Sequence, residues 1–539
     1  MKYRNFYIVY ILASFLFNTS CNLDRNPLDN FAENEFWTSE ENALIALTGI
    51  YRGNTLFNSE EYSPTDFWSY SGVLFLEFAS DNAYDRRGNN SGFFQMVNGN
   101  FTANNGFISN YWSNAYAKIS RCNRFLEGID QIPASQETVN RFKSEARFIR
   151  AVQYFYLSQY FQDVPLVTSV LTKEEANNVK KASKQEIISF IEKEFKEAAE
   201  YLPAWKELQA SEIGRASQQA AYAFLGRTYL AEKQYKEAAN TFLQIINMGE
   251  NKIEDNYNEV FYPAQKGSPE IIIGAQYLTD LAGCGLPQHA YPVKDLGWCI
   301  INPLGSLFEA YQFTDGSNFS YESPLYDKNN LGKNRDPRLD YTIYYDGATF
   351  KGTTYSSHPD RGGVDATQSG QTTQTGFMMR KYFDESYNGD LRRYGVNLPI
   401  IRYPEILLSY LEAKLEGGEP IDRSLLDLTI NAVRGRSSVN MPPVTETNPD
   451  KLRPILRNER RVEFAMEGIR YWDLLRWGIA HEVLQGKIYG APFPGRSKVD
   501  GDNNQDKYGR WYVNKWNFRQ QDYKWPIPQS EQNINPNLR

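Results

Sequence analysis

Residues 217–248, SQQAAYAFLGRTYLAEKQYKEAANTFLQIINM, decide the fold. Between 217 and 232, Tyr222, Leu225, Gly226 and Tyr229 stand three or four residues apart, and between 235 and 248 Ala238 and Phe242 do the same. Those spacings match a tetratricopeptide unit, in which bulky residues fill the seam of a helix pair and Gly or Ala lets the two backbones approach. One such pair cannot bury its apolar face alone, so the unit predicts neighbouring helices stacked on both sides.

Further helices are legible around it. Residues 141–161, RFKSEARFIRAVQYFYLSQYF, begin amphipathic and become apolar on nearly all sides between Ala151 and Leu157, the pattern of a helix buried among helices. Helices are predicted at 184–202, 400–416, 423–436, 451–466 and 469–478, which makes the chain mainly α with a tetratricopeptide-like superhelix. Residues 57–110 and 251–399 carry Gly, Asn, Asp, Tyr and Pro without helical period. Irregular stretches of that length are more often functional than idle.

The N-terminus predicts export. Lys2 and Arg4 precede twelve uncharged residues, Phe6 to Phe17, and then Asn18-Thr19-Ser20-Cys21. A cationic start, a short apolar core and small residues before a cysteine read as a lipoprotein signal, with residues 1–20 removed and Cys21 lipidated. Several acyl chains on one cysteine exceed the one-chain regime of marginal membrane binding, so the body is expected to be tethered to membrane lipid through Cys21, not embedded. The whole chain carries 58 basic and 65 acidic residues; without Lys2 and Arg4, 56 − 65 gives a mature charge of −9. That balance disfavours nucleic acid, whose phosphates demand a basic footprint.

Catalytic signatures are sparse. The three histidines, His289, His358 and His481, stand in no metal-ligand spacing, and no Gly-x-Ser-x-Gly elbow, phosphate-cradling loop or His-Glu-x-x-His helix occurs. No catalytic residue, metal or cofactor is assigned. Of the thiols besides Cys21, Cys284 and Cys299, with fourteen residues between them, are the two placed to pair. The irregular regions concentrate Phe67, Trp68, Tyr70, Tyr84, Phe93, Phe94, Tyr277, Tyr291 and Trp298. An aromatic face suits the C–H face of a sugar ring while Asn, Asp and Arg bond its hydroxyls; the plainer role is packing loops onto helices.

Five blocks now carry a resemblance. Residues 145–151 (EARFIRA), 398–408 (LPIIRYPEILL), 457–465 (RNERRVEFA), 467–478 (EGIRYWDLLRWG) and the closing WPIPQSE and NPNL of 525–531 and 535–538 resemble the SusD/RagB family in the same order. The resemblance implies an α-superhelix of four tetratricopeptide-like helix pairs with irregular insertions, divided as 21–310 and 311–539. It implies a lipoprotein of the outer membrane, facing the exterior, that hands oligosaccharide to a SusC-like TonB-dependent transporter without chemistry. The alternatives are a peptide-binding lid of the RagB type and, further off, a surface glycoside hydrolase. Gly297-Trp298 resembles a family segment, making Trp298 the first ligand candidate, followed by Tyr84, Arg86 and Trp68. The Arg/Glu/Trp blocks are read as structural: Arg457, Glu459, Arg460, Arg461 and Glu463 interlock across i, i+3 and i+4, and Trp472 and Trp477 supply bulk.

Overall fold

Short polar side chains set where the helices begin. In the computed structural model, which describes residues 36–52, 66–262, 264, 266–498 and 506–539, a first helix, α1 (Glu40–Arg52), precedes the main stack. Asn105 caps α2 (Gly106–Gly128), Ser135 caps α3 (Gln136–Tyr160), Ser183 and Glu186 form a capping box on α4 (Lys184–Ala199), and Ser217 caps α5 (Gln218–Ala231). Each cap accepts a backbone N–H that the first turn leaves without a partner. Helix α6 (Tyr235–Met248) stops at Gly249, whose φ of 65° turns the chain out of the helix. Helices α7 (Tyr403–Glu416) and α8 (Pro449–Glu463) complete the row, and α9 (Arg470–Arg476) follows.

From α2 to α8 each of these helices packs on the next. That stepwise order is a solenoid, and the seam read from sequence is its centre. Ala238 and Phe242 are buried, and a Cβ added at Gly226 would lie 2.5 Å from the Phe242 ring. Nothing larger than glycine fits there without moving the ring.

Short antiparallel strands tie the irregular regions to this frame: β1 (Ala83–Asp85) pairs with β3 (Ile301–Pro303), β2 (Ile271–Gln276) with β4 (Asn397–Arg402), and β5 (Gln485–Pro492) with β6 (Arg510–Asn517). Besides shifts of a few residues at other helix ends, three differences from the sequence reading have a local cause. The predicted helix at 400–416 starts at 403, because Ile401 and Arg402 close the ladder with β2 and Pro404 is suited to a first helical turn. The predicted helix at 423–436 is two pieces, Arg423–Leu428 and Ile430–Arg434, broken at Thr429 (φ −112°, ψ −97°), whose hydroxyl donates back to the Leu425 carbonyl. Residues 106–110, read as loop, are the first turn of α2.

The irregular regions have an aromatic core of their own. Of the nine rings singled out from sequence, Phe67, Trp68, Tyr70, Tyr84, Phe93, Phe94 and Tyr291 are buried; Tyr277 and Trp298 keep partial exposure. Packing is therefore the main use of these side chains.

The RNERRVE block is structural, but by different partners than its spacing suggested. Glu459 and Glu463 are four apart with the same sign, and so are Arg457 and Arg461, so the helix alone stacks like charges. Their counter-charges come from elsewhere in the chain. Arg402 bonds Glu270 at 2.5 Å, Glu463 at 3.0 Å and Glu467 at 2.7 Å; Arg338 bonds Asp336, Glu459 and Glu463; Arg436 bonds Glu270 and Glu463; Arg434 bonds Glu459; Lys381 bonds Glu467 at 2.6 Å. All ten of these side chains are buried. Five cations thus meet five carboxylates in one water-poor knot, joining β4 and α8 to loops from both halves of the chain. The three flanking arginines, above all Arg436, hold the Glu463 carboxyl down at about 2 against its own burial.

Cys122, Cys284 and Cys299 are free and buried, so the pairing anticipated for Cys284 and Cys299 is not made. Burial pushes each of the two thiols up to about 12, which keeps them protonated. Cys21 and the signal lie outside the described residues. Among the described residues no helix is long and apolar enough to cross a membrane.

Candidate ligand-binding face

The pairing of β1 with β3 brings three of the four candidate residues together. Tyr84 faces Asn302 across the ladder, Asp85 faces Ile301, and the Arg86 amide extends the pairing by donating to the Ile300 carbonyl at 3.0 Å. Trp298 lies two residues before Ile300, at the end of a turn whose geometry is over-determined. A Cβ at Gly297 would come within 2.1 Å of the Tyr291 carbonyl oxygen, which explains why glycine precedes the tryptophan. The Trp298 amide donates to the Gln288 carbonyl (2.7 Å), that of Cys299 to Tyr291 (3.1 Å) and that of Ile300 to His289 (2.6 Å).

The partly buried Trp298 ring stands edge-on against His289, with centroids 5.3 Å apart. His289 is itself buried, shares a 2.9 Å hydrogen bond between Nδ1 and the Tyr70 hydroxyl, and is lowered to about 3 by desolvation, with a smaller push from Arg87. A neutral imidazole therefore backs the indole at ordinary pH. Beside it Leu296 is 79% exposed in a left-handed turn (φ 66°), an apolar neighbour for the ring.

Tyr84 plays a different part. Only 5% exposed, it packs on Phe94 and takes a hydrogen bond on its hydroxyl from Asn514 of β6 at 2.8 Å. Asn514 also reaches exposed Asn89 at 3.4 Å, and on the same hairpin half-exposed Tyr512 and Tyr489 meet edge to face at 6.4 Å. The structure thus adds Asn89, Asn514 and Tyr512 to the neighbourhood. The alternating polar and aromatic RWYVNKWN of 510–517 was the available signal for a strand, yet nothing in it says that the strand lands beside residue 84.

Trp68 is placed elsewhere. It is 7% exposed, 6.2 Å from the Phe148 ring of α3 and under the Lys118 ammonium of α2, whose partner is Asp66. It belongs to the helix seam. Among the described residues no cluster of His, Cys, Asp or Glu is arranged to hold a metal ion.

Residues 232–539 match the model of the SusD family, and residues 59–230 match a model described as starch-binding associating with outer membrane. The chain belongs to the SusD/RagB family. A solved SusD-like carbohydrate-binding protein from Bacteroides fragilis is 53% identical, covers 94% of this chain and 100% of its own, and superposes with a TM-score of 0.91. SusD-like protein P38 of Formosa agariphila is 24% identical over 512 residues, covering 91% of this chain and 94% of that one. Surface glycan-binding protein A of Bacteroides thetaiotaomicron, solved with laminarihexaose, shares the fold at 19% identity, with a TM-score of 0.68 over 93% of this chain and 99% of its own. The SusD-family blocks at 398–408 and 457–465 are the strand, helices and ionic knot described above, which accounts for their mixture of charge and bulk.

Proposed function

We propose that this chain is a cell-surface lipoprotein, held in the outer membrane through Cys21, that binds an oligosaccharide on the face carrying Trp298 and Arg86 and delivers it to a partner SusC-like TonB-dependent transporter. Trp298 carries the reading. It is a partly buried indole that keeps some exposure, pinned by three consecutive backbone hydrogen bonds around a glycine, a rigid surface for stacking a sugar ring with little ordering cost on binding. Support also comes from the family and from the Bacteroides fragilis relative named for carbohydrate binding. Tyr84 serves the face indirectly, by positioning Asn514. Regions 21–310 and 311–539 act as one body, since β2 from the first pairs with β4 from the second. Binding needs no chemistry, and no residue is given a catalytic role.

The detergent-extracted mature protein, titrated calorimetrically with neutral and acidic oligosaccharides, should bind at least one, and Trp298→Ala should weaken that binding. Retention of peptides in place of every glycan would replace this reading with the RagB-type lid. Cys21→Ala, produced without the transporter, should leave the membrane fraction; undiminished fractionation would remove the anchor.

A further inference from the structure

Many of the buried guanidinium groups among the described residues are answered by carboxylates. Arg150 meets Glu194 at 2.6 Å, Arg227 meets Glu405 at 2.6 Å, Arg470 meets Asp81 at 2.8 Å, and the knot pairs Arg338, Arg402, Arg434 and Arg436. Arg335, stacked on Phe308 and Phe319, donates from Nη2 to the Phe308 and Tyr311 carbonyls while its buried Nε and Nη1 have no acceptor, and half-buried Arg457, stacked on Trp477, has no ion pair among the described residues. Arg86 also lacks an acid, and it alone of these three is one of the candidate residues of the ligand face. Its main chain is fixed to Ile300, but its half-buried side chain makes no hydrogen bond or ion pair among the described residues, and its Nε is sealed from water with no acceptor.

The carboxylates nearby are already engaged. Asp85, fully buried, is gripped by Arg87 Nε and Nη2 at 2.9 and 2.6 Å, and Asp365, close to Cys299, accepts the Lys294 amide at 3.3 Å. His289 behind Trp298 contributes no positive charge at neutral pH. What remains at this face is a positive charge, partly desolvated and without an ion pair among the described residues, on a backbone fixed to Ile300 two residues from the Trp298 indole. A partly buried ion without a counter-charge is costly, and a bound anion would offset that cost. Guanidinium nitrogens also present the planar fork that carboxylate and sulfate oxygens match.

We infer that the oligosaccharide taken by this face is anionic, carrying a carboxylate or sulfate ester received by Arg86 while Trp298 stacks an adjoining ring; this rests on the glycan-binding reading above. The test is titration of the mature protein with oligogalacturonate, a chondroitin sulfate hexasaccharide, laminarihexaose and maltohexaose at low and moderate salt. At least one of the two acidic probes should bind, with affinity that falls as salt rises, and which of them binds tells carboxylate from sulfate. Arg86→Gln should weaken it tenfold or more and flatten the salt dependence, whereas Arg86→Lys, keeping charge without the fork, should fall between. Should Arg86→Gln fold poorly, the salt dependence of the unaltered protein and the Lys variant decide. Binding of neutral probes only, indifferent to Arg86→Gln, overturns the anionic ligand and leaves the glycan reading standing. Binding of none of the four removes both.

Discussion

The ionic knot behind β4 and the face around Trp298 both use arginine, and they treat it in opposite ways. Arg402 is enclosed by Glu270, Glu463 and Glu467, while the half-buried Arg86 side chain has no hydrogen bond or ion pair among the described residues. A charge matched inside the chain holds parts of the chain together. A charge left unmatched on a rigid surface has capacity for something else. The two tryptophans divide the same way, Trp68 closed into the helix seam and Trp298 half open on a pinned turn.

The largest effect is expected where matching is most complete. Arg402→Met should cost ~3–5 kcal/mol of stability, because it leaves five buried carboxylates to be shared by four cations and removes the group that joins Glu270, Glu463 and Glu467. A denaturant midpoint close to that of the unaltered protein would show that the knot relaxes without its centre. Trp68→Ala should lose a comparable ~3–5 kcal/mol, the range for a buried aromatic cut to alanine, with glycan affinity unchanged. If affinity fell instead, the seam and the face could not be the separate regions described here.

Gly226→Leu should overpack the α5–α6 seam and cost ~1–3 kcal/mol or more, against about 0.5 kcal/mol or less for exposed-side Lys236→Ala. Equal melting temperatures would argue against close contact at that glycine. Trp298→Ala should reverse the Trp68 pattern: ~2 kcal/mol of binding, about thirtyfold in Kd, with little change in melting. A large thermal loss would class it with Trp68.

A further effect, spread over pH, concerns an acid that the knot does not reach. Glu77, buried and bonded by Asn82 (2.8 Å) and the Gly468 amide (2.7 Å), is raised by desolvation from 4.5 to about 7. A raised carboxyl holds its proton in the folded state, so its contribution is full below about 4.5 and is lost as pH climbs to about 7. Relative to Glu77→Gln, the unaltered protein should therefore lose stability across that window, by at most ~1.4 kcal/mol per pH unit. Parallel curves for the two proteins would place the Glu77 proton elsewhere.

Much of the frame was legible because helices announce themselves locally. The 3.6-residue period, the Ser caps and the Tyr222/Gly226/Phe242 spacing are read within some thirty residues, and α6 runs over the residues that its pattern gave. The hairpin of β5 and β6 escaped because its meaning is non-local: Asn514 bonds Tyr84 across 430 positions. The buried charges escaped for the same reason, as did the distance between Cys284 and Cys299.

By itself, then, the sequence determined a mainly α stack of helix pairs, a family and the presence of aromatic loops, since periodicity and residue type depend on neighbours along the chain. Which of those aromatics are closed and which keep exposure, and which arginines lack an acid, depend on neighbours in space. Only the tertiary structure decided that Trp68 faces Lys118 and Phe148 while Trp298 rests on a neutral His289 beside an unanswered Arg86, because burial and charge matching are properties of the packed chain.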